Sequence, residues 1–261
     1  MQMGIEQNQG GRKGKGSSES RKSNRRQKKP SPVQRLYDTC KEVFADCGPG
    51  VVPSPEKVER LAAVLDGITP ADVGLRPNQP YFSSERAPII SYLPLHAGDN
   101  FSIGIFCLPP VSVIPLHNHP AMTVFSKLLF GTMHIKAYDW SNEADGNAIV
   151  VQPNGSRLAK LKINSTFTAP CSTSILYPAD GGNMHCFTAG TACAVLDVLG
   201  PPYSDDDGRH CQYYYELPLA TSRGELEEEE RERYAWLKER EKPRDLCILG
   251  VPYDGPKILK K

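Results

Sequence analysis

Three of the six histidines stand where they could act together. In the run Pro115-Leu116-His117-Asn118-His119-Pro120, His117 and His119 are two residues apart, so on an extended strand both side chains leave the same face and can converge on one ion. A third, His185, follows 66 residues after His119, just beyond the turn-forming stretch Asp180-Gly181-Gly182-Asn183-Met184. Three imidazoles from two strands can occupy one side of a transition metal, at nitrogen distances of about 2.0 to 2.2 Å. Each histidine alone has the plainer reading of a satisfied core or surface residue; the grouping points to a metal. Asp197 stands out for a different reason. It interrupts the apolar run Val195-Leu196-Asp197-Val198-Leu199, where an unpaired carboxylate is costly to bury, so a partner or a functional role is expected. Tyr203, after two prolines, either braces a loop or joins the site. His96 and His134 read as surface or strand residues, and His210 as a supporting neighbour of the site.

A β-rich body must position these residues. Beyond about residue 85, short apolar and β-branched runs are separated by turn residues, which predicts strands over 88–95, 101–108, 122–130, 133–140, 148–151, 172–177 and 192–199. No helical crossover fits between them, so the sheets should be mainly antiparallel, in a sandwich or barrel. Ahead of the strands the period is helical. Val33, Leu36, Tyr37, Cys40, Val43 and Phe44 follow Pro32 at helix spacing. Ser54-Pro55-Glu56-Lys57 then supplies a cap, a first-turn proline and an acid ahead of Val58, Leu61, Ala62 and Leu65. Thr69-Pro70-Ala71-Asp72 begins one more short turn. The charge-rich stretch 225–241 reads as a solvated helix docked by Leu226, Tyr234, Trp236 and Leu237.

Composition sets the limits. With 39% hydrophobic and 23% charged residues, the chain is too apolar for wholesale disorder and too charged for a membrane bundle. No run approaches the roughly 18 apolar residues of a spanning helix, and no apolar leader follows the first residues. Eight scattered cysteines without a C-x-x-C pair imply a reducing compartment rather than a disulfide framework. The net charge of +1 conceals a split: residues 1–30 hold nine Lys and Arg against two Glu, leaving 22 against 28 for the remainder. Residues 1–31 are accordingly expected to be a disordered basic tail, and 32–261 one domain with N-terminal helices over 33–73. The cluster Arg25-Arg26-Gln27-Lys28-Lys29 has the composition of a nuclear import signal or a nucleic-acid arm, against the plainer reading of a merely solubilising basic tail.

The segment from His117 through Gly131 resembles the first motif of the cupin family, His-x-His-x4-Glu-x6-Gly, and Gly182-Asn183-Met184-His185 resembles the end of the second. Val124 occupies the place of the usual glutamate, and three-histidine cupins of this kind resemble thiol dioxygenases. More specifically, residues 115–120, His185, the run 197–204 (Asp-Val-Leu-Gly-Pro-Pro-Tyr-Ser) and the run 207–211 (Asp-Gly-Arg-His-Cys) resemble plant cysteine oxidases, relatives of the animal 2-aminoethanethiol dioxygenase. The resemblance covers residues 33–260. It implies a mainly β cupin double-stranded β-helix, or jelly roll, with His117, His119 and His185 holding Fe(II) and with Asp197 and Tyr203 as catalytic residues. The implied reaction uses O2 to convert an N-terminal cysteine to its sulfinic acid. The implied substrates are proteins or peptides with that terminus, notably hypoxia-response transcription factors that then enter an N-degron route. Cys211 and Tyr213 would be candidates for the thioether cross-link that some thiol dioxygenases carry, although a buried thiol beside an aromatic is the ordinary reading. Neutral ligands leave Fe(II) its full charge, which favours a thiolate over a thiol whose ordinary pKa is about 8.5. The protein is thus read as a monomer of nucleus and cytoplasm, with no membrane and no nucleic-acid partner. The competing readings are a small-thiol dioxygenase acting on cysteine or cysteamine, and a metal-binding regulatory cupin without redox turnover.

Overall fold

The computed structural model describes residues 29–83, 89–141, 151–217, 219 and 232–260. Two helices come first, and each is set by its cap. Helix α1, Pro32–Val43, starts at Ser31, whose hydroxyl accepts the amide of Gln34 at 3.1 Å, and it buries Val33, Leu36, Tyr37, Cys40 and Val43. Helix α2, Pro55–Asp66, starts at Ser54 in the same way and buries Val58, Leu61 and Leu65. A single 3-10 turn, Pro70–Val73, is closed by a reciprocal Thr69–Asp72 cap and ended by Gly74, whose φ of 72° belongs to the left-handed region. A second 3-10 turn spans Pro80–Phe82.

Among the described residues, twelve strands follow in chain order: β1 Ile90–His96, β2 Ser102–Leu108, β3 Val113–Asn118, β4 Thr123–Phe130, β5 Thr132–Trp140, β6 Arg157–Thr168, β7 Ser174–Leu176, β8 Met184–Ala189, β9 Cys193–Gly200, β10 Tyr213–Leu217, β11 Tyr234–Arg240 and β12 Ile248–Gly250. One sheet has the order β12-β1-β2-β9-β4-β7; the other, β10-β11-β6-β5-β8-β3, closes on itself where Tyr213 pairs with His117. Every pairing is antiparallel except β1 with β12, which run parallel. This is the mainly β cupin jelly roll that the resemblance implied.

The apolar runs of β2, β4 and β9 result from burial on both faces. Ile103, Ile105 and Cys107, Phe125 and Leu129, and Ala194, Leu196 and Val198 pack against the helices in one core. Their alternates, including Leu108, Leu128, Cys193 and Val195, face the other sheet. The two-residue period therefore turns Asp197 inward, away from the helices. Lys127, on the helix-facing side of β4, donates to Asp66 of α2 at 3.1 Å and ties the helical layer down.

One sequence expectation needs correction. The charge-rich stretch expected to be a helix over 225–241 contains β11 instead; residues 225–231 lie outside the described residues. Two unfilled strand edges overrode the charge pattern, because β11 pairs with β10 on one side and β6 on the other while Ala235 and Leu237 alternate into a core. Of the strand expected at 148–151, only Val151 is described, and it forms a single bridge to Arg157. Strand β6 escaped sequence reading because Lys, Asn, Ser and Thr dominate its exposed face. All eight cysteines are free, as their scatter implied. Of the expected basic tail, residues 1–28 lie outside the described residues.

Phe44, fully buried just after α1, is the joint between the helices and the sheet. Its ring lies 6.1 Å from that of Phe101 and 6.3 Å from that of Phe125, and a Cβ at Gly200 would collide with it. Phe44→Ala should cost about 3 to 5 kcal/mol. A urea midpoint unchanged from the parent protein would contradict this placement of the helical layer.

Candidate active site

His117 and His185 are direct cross-strand partners on β3 and β8. An irregularity in β3 between Ile114 and His117 turns the carbonyl of Pro115 back toward His117, whose Nδ1 donates to it at 2.8 Å. That bond leaves Nε2 of His117 free. His119 lies one residue past the end of β3, which refines the expectation that both histidines sit on the strand. It is held there by Asn183, whose side chain accepts the His119 amide at 3.1 Å and donates to the His119 carbonyl at 2.8 Å. Asn183 is itself anchored, since its own amide and that of Gly182 donate to the buried carboxylate of Asp139.

The three rings converge. Their ligating atoms lie within 4.8 Å of one another, and Nε2 of His119 is 2.9 Å from Nε2 of His185. Two nitrogens bound at right angles to one ion about 2.1 Å away stand about 3 Å apart, so the spacing fits a shared metal. All three imidazoles are buried. Burial pushes His117 down to about 4 and holds His119 and His185 well below the ordinary imidazole value. Neutral rings with free lone pairs are what a metal requires. The tautomer of His119 is set by Tyr203, whose hydroxyl donates to the carbonyl of Asn118 at 2.7 Å and accepts from Nδ1 of His119 at 3.1 Å. Nδ1 thereby carries the proton and Nε2 faces the cluster.

A cavity of about 350 Å³ opens in front of the cluster, bounded by β1, β2 and β9 of one sheet and β3 and β8 of the other. Asp197 and Tyr203 both line it, with Cys211 and Tyr213. Asp197 stands opposite Ser126, whose hydroxyl favours the charged carboxylate, but Oδ1 has no partner. Burial raises this carboxyl to about 7. On its other flank it faces Gly104, where a side chain would collide with the ring of Tyr92. The Cys211 thiol lies within hydrogen-bonding reach of both the Tyr203 and Tyr213 hydroxyls, and burial raises its pKa. The structure thus brings five of the sequence-selected residues to one cavity: His117, His119, His185, Asp197 and Tyr203. His210 is exposed and does not line it, which corrects the supporting role expected for it. His96 packs instead against Tyr37 and Phe101, and His134 bonds Thr166 and Asn164 across β5 and β6. The orienting roles of Asn183 and Asp139 went unread in the sequence.

A family model described as PCO_ADO matches residues 64–258. The chain belongs to that family. It is 59% identical to plant cysteine oxidase 2 of Arabidopsis thaliana over 252 residues, covering 93% of this chain and 89% of the relative. Plant cysteine oxidase 1 of the same organism is 56% identical over 253 residues, covering 90% and 85%. The human 2-aminoethanethiol dioxygenase is 30% identical over 223 residues, covering 78% and 82%.

Replacing His117, His119 or His185 with Ala should weaken metal binding by at least about tenfold, since residues that merely orient a ligand are already worth 10- to 100-fold. Metal content by atomic emission, with the β-sheet circular dichroism preserved, checks this. Full occupancy after removal of all three would contradict the assignment.

Proposed function

We propose that this protein is an Fe(II)-dependent dioxygenase that converts the N-terminal cysteine of protein or peptide substrates to cysteine sulfinic acid. Family membership supports the cysteine dioxygenase activity, and the observation that carries the substrate class is the buried carboxylate of Asp197 in the histidine cavity, whose Oδ1 has no partner. Iron bound by His117, His119 and His185 would supply a Lewis acid for a thiolate and one-electron chemistry toward dioxygen. The reaction balances without a further reductant: a thiol and O2 give a sulfinic acid, the electrons lost by sulfur are gained by oxygen, and the thiol hydrogen remains as the acidic proton.

The rest of the chemistry belongs to this chain. A terminal cysteine carries an α-amine with a pKa of about 7.7 to 8.0. A free amine therefore arrives largely as ammonium at neutral pH, and the three neutral histidines offer it no anion. Asp197 does. Its carboxyl, raised to about 7 by burial, is only partly ionised while the cavity is empty. A neighbouring ammonium favours the carboxylate, and the charge-assisted hydrogen bond so formed contributes about 1.5 to 3 kcal/mol. That contact fixes the amine, and with it the thiol two carbons away, against the imidazole cluster. Tyr203 holds His119 and closes the same side of the cavity. A volume of about 350 Å³ is near the lower end of ligand pockets, suited to a terminal residue whose following chain remains outside. The described chain carries all of these residues, so a monomer is sufficient.

Hypoxia-response transcription factors, whose oxidised terminus leads into an N-degron route, are the substrates we infer, supported by similarity to the plant cysteine oxidases. We infer residency in nucleus and cytoplasm, supported by the basic composition of the cluster at 25–29. A reporter fused to residues 1–31 should concentrate in nuclei and disperse once the Arg and Lys residues of the cluster become Ala. Equal distribution of the two would reject the import role.

Asp197→Asn, nearly isosteric, should keep its iron yet lose at least about tenfold in turnover of a Cys-initiating peptide, since about 1.4 kcal/mol is one decade. An N-acetylated peptide should be a poor substrate for the parent protein. Unaltered turnover by the iron-loaded Asn variant would make Asp197 structural. Faster consumption of cysteamine or free cysteine than of peptide would favour the small-thiol reading.

A further inference from the structure

The interior between the two sheets holds a second chamber. His185 and Phe187, with ring centroids 4.2 Å apart, line both this chamber and the cavity described above, and so stand as a wall between them. The second chamber has a volume of about 250 Å³ and is bounded by β4 and β7 of one sheet and by β5, β6 and β8 of the other. Val124, Ile135, Ala137, Ile163, Phe167 and Leu176 make most of its surface. Of its two serines, Ser126 stands directly across from Asp197. A charged or zwitterionic guest would therefore have to shed its hydration with little in return.

Three features give the chamber a direction. Its inner end reaches the His185 imidazole. Beside that end stands Val124, at the position where the wider cupin motif has a glutamate, so a carboxylate that would have made this end polar is replaced by a methyl-bearing side chain. Four of its lining residues, Ile163 and Phe167 of β6 and Ser174 and Ile175 of β7, are only partly buried, and β7 is the edge strand of the first sheet, so the chamber approaches solvent on that side. The partly buried lining of the other cavity is made by different residues, among them Pro202, Tyr203 and Cys211.

The reaction proposed above needs two reactants at one cluster. A peptide terminus seated against Asp197 fills the first cavity and blocks that route. Dioxygen is small, uncharged and poorly hydrated, and a cavity of about 150 Å³ lined by hydrocarbon stays dry and takes up small apolar guests, xenon included. We propose that the second chamber is the route and reservoir by which dioxygen reaches the histidine cluster while the peptide occupies the first. The inference rests on the dioxygenase reading.

Ile163→Trp fills the chamber from its outer wall, well away from the histidines in sequence and on a different strand. In the iron-loaded full-length protein the KM for oxygen should rise at least about fivefold, while the peptide KM and the kcat at saturating oxygen stay within about twofold. Crystals of the parent protein under xenon pressure should show xenon beside Val124 and Ile163, and those of the variant should not. Ser174→Phe, on the facing strand, serves as the second filling variant if Ile163→Trp does not fold. An empty chamber under xenon in the parent protein, or an unchanged oxygen KM in a folded, filled variant, overturns the proposal alone. Failure of the iron-loaded parent to consume oxygen with any thiol overturns the assigned function, and this proposal with it.

Discussion

Everything else in this molecule depends on keeping three imidazoles neutral, oriented and close together inside a β-sandwich. Burial removes their protons, and the backbone then fixes where the remaining N–H groups point. The register between β3 and β8 places His117 beside His185, the irregularity at Pro115 aims one ring, and Asn183 with Tyr203 aims another. A slip of one residue in that register would send the ring of His185 to the opposite face of the sheet. The helical layer and the double-sided burial of β2, β4 and β9 are what make such a slip expensive.

Given a neutral cluster, the chemistry of its surroundings divides the interior. On one side stand the hydrogen-bonding groups: Asp197, Tyr203, Cys211 and Tyr213. On the other stand mainly hydrocarbon side chains. The Asp197–Ser126 pair and the His185–Phe187 wall separate the two. The absence of a glutamate at position 124 is important to both sides, because a carboxylate there would reduce the net charge available to a thiolate and would place an anion at the end of the apolar chamber.

The part of this design that is legible in the sequence is the part with strict local spacing. His117 and His119 announce themselves by period, His185 by the glycine turn before it, and Asp197 by contrast with its apolar neighbours. The helices are legible through their caps and first-turn prolines. Less legible are features whose cause is distant in sequence. Asn183 and Asp139 act through bonds to residues 64 and 44 positions away, and neither has a local pattern. Strand β11 is misread for the same reason: its charges describe its solvent face, while the strand exists because β6 and β10 leave edges for it. His210, adjacent in sequence to Cys211, shows the converse error, since proximity along the chain does not bring it into the cavity.

The central claim is that both atoms of one dioxygen molecule end on the sulfur of an N-terminal cysteine, at a metal held by His117, His119 and His185. Mass spectrometry of a Cys-initiating peptide incubated with the iron-loaded protein under oxygen-18 gas tests it most directly. The expected result is a single product heavier by about 36 Da, the mass of two labelled oxygen atoms, with fragment ions placing both on the first residue. An unchanged peptide with iron fully bound, or a product carrying one labelled atom and one from water, would contradict it.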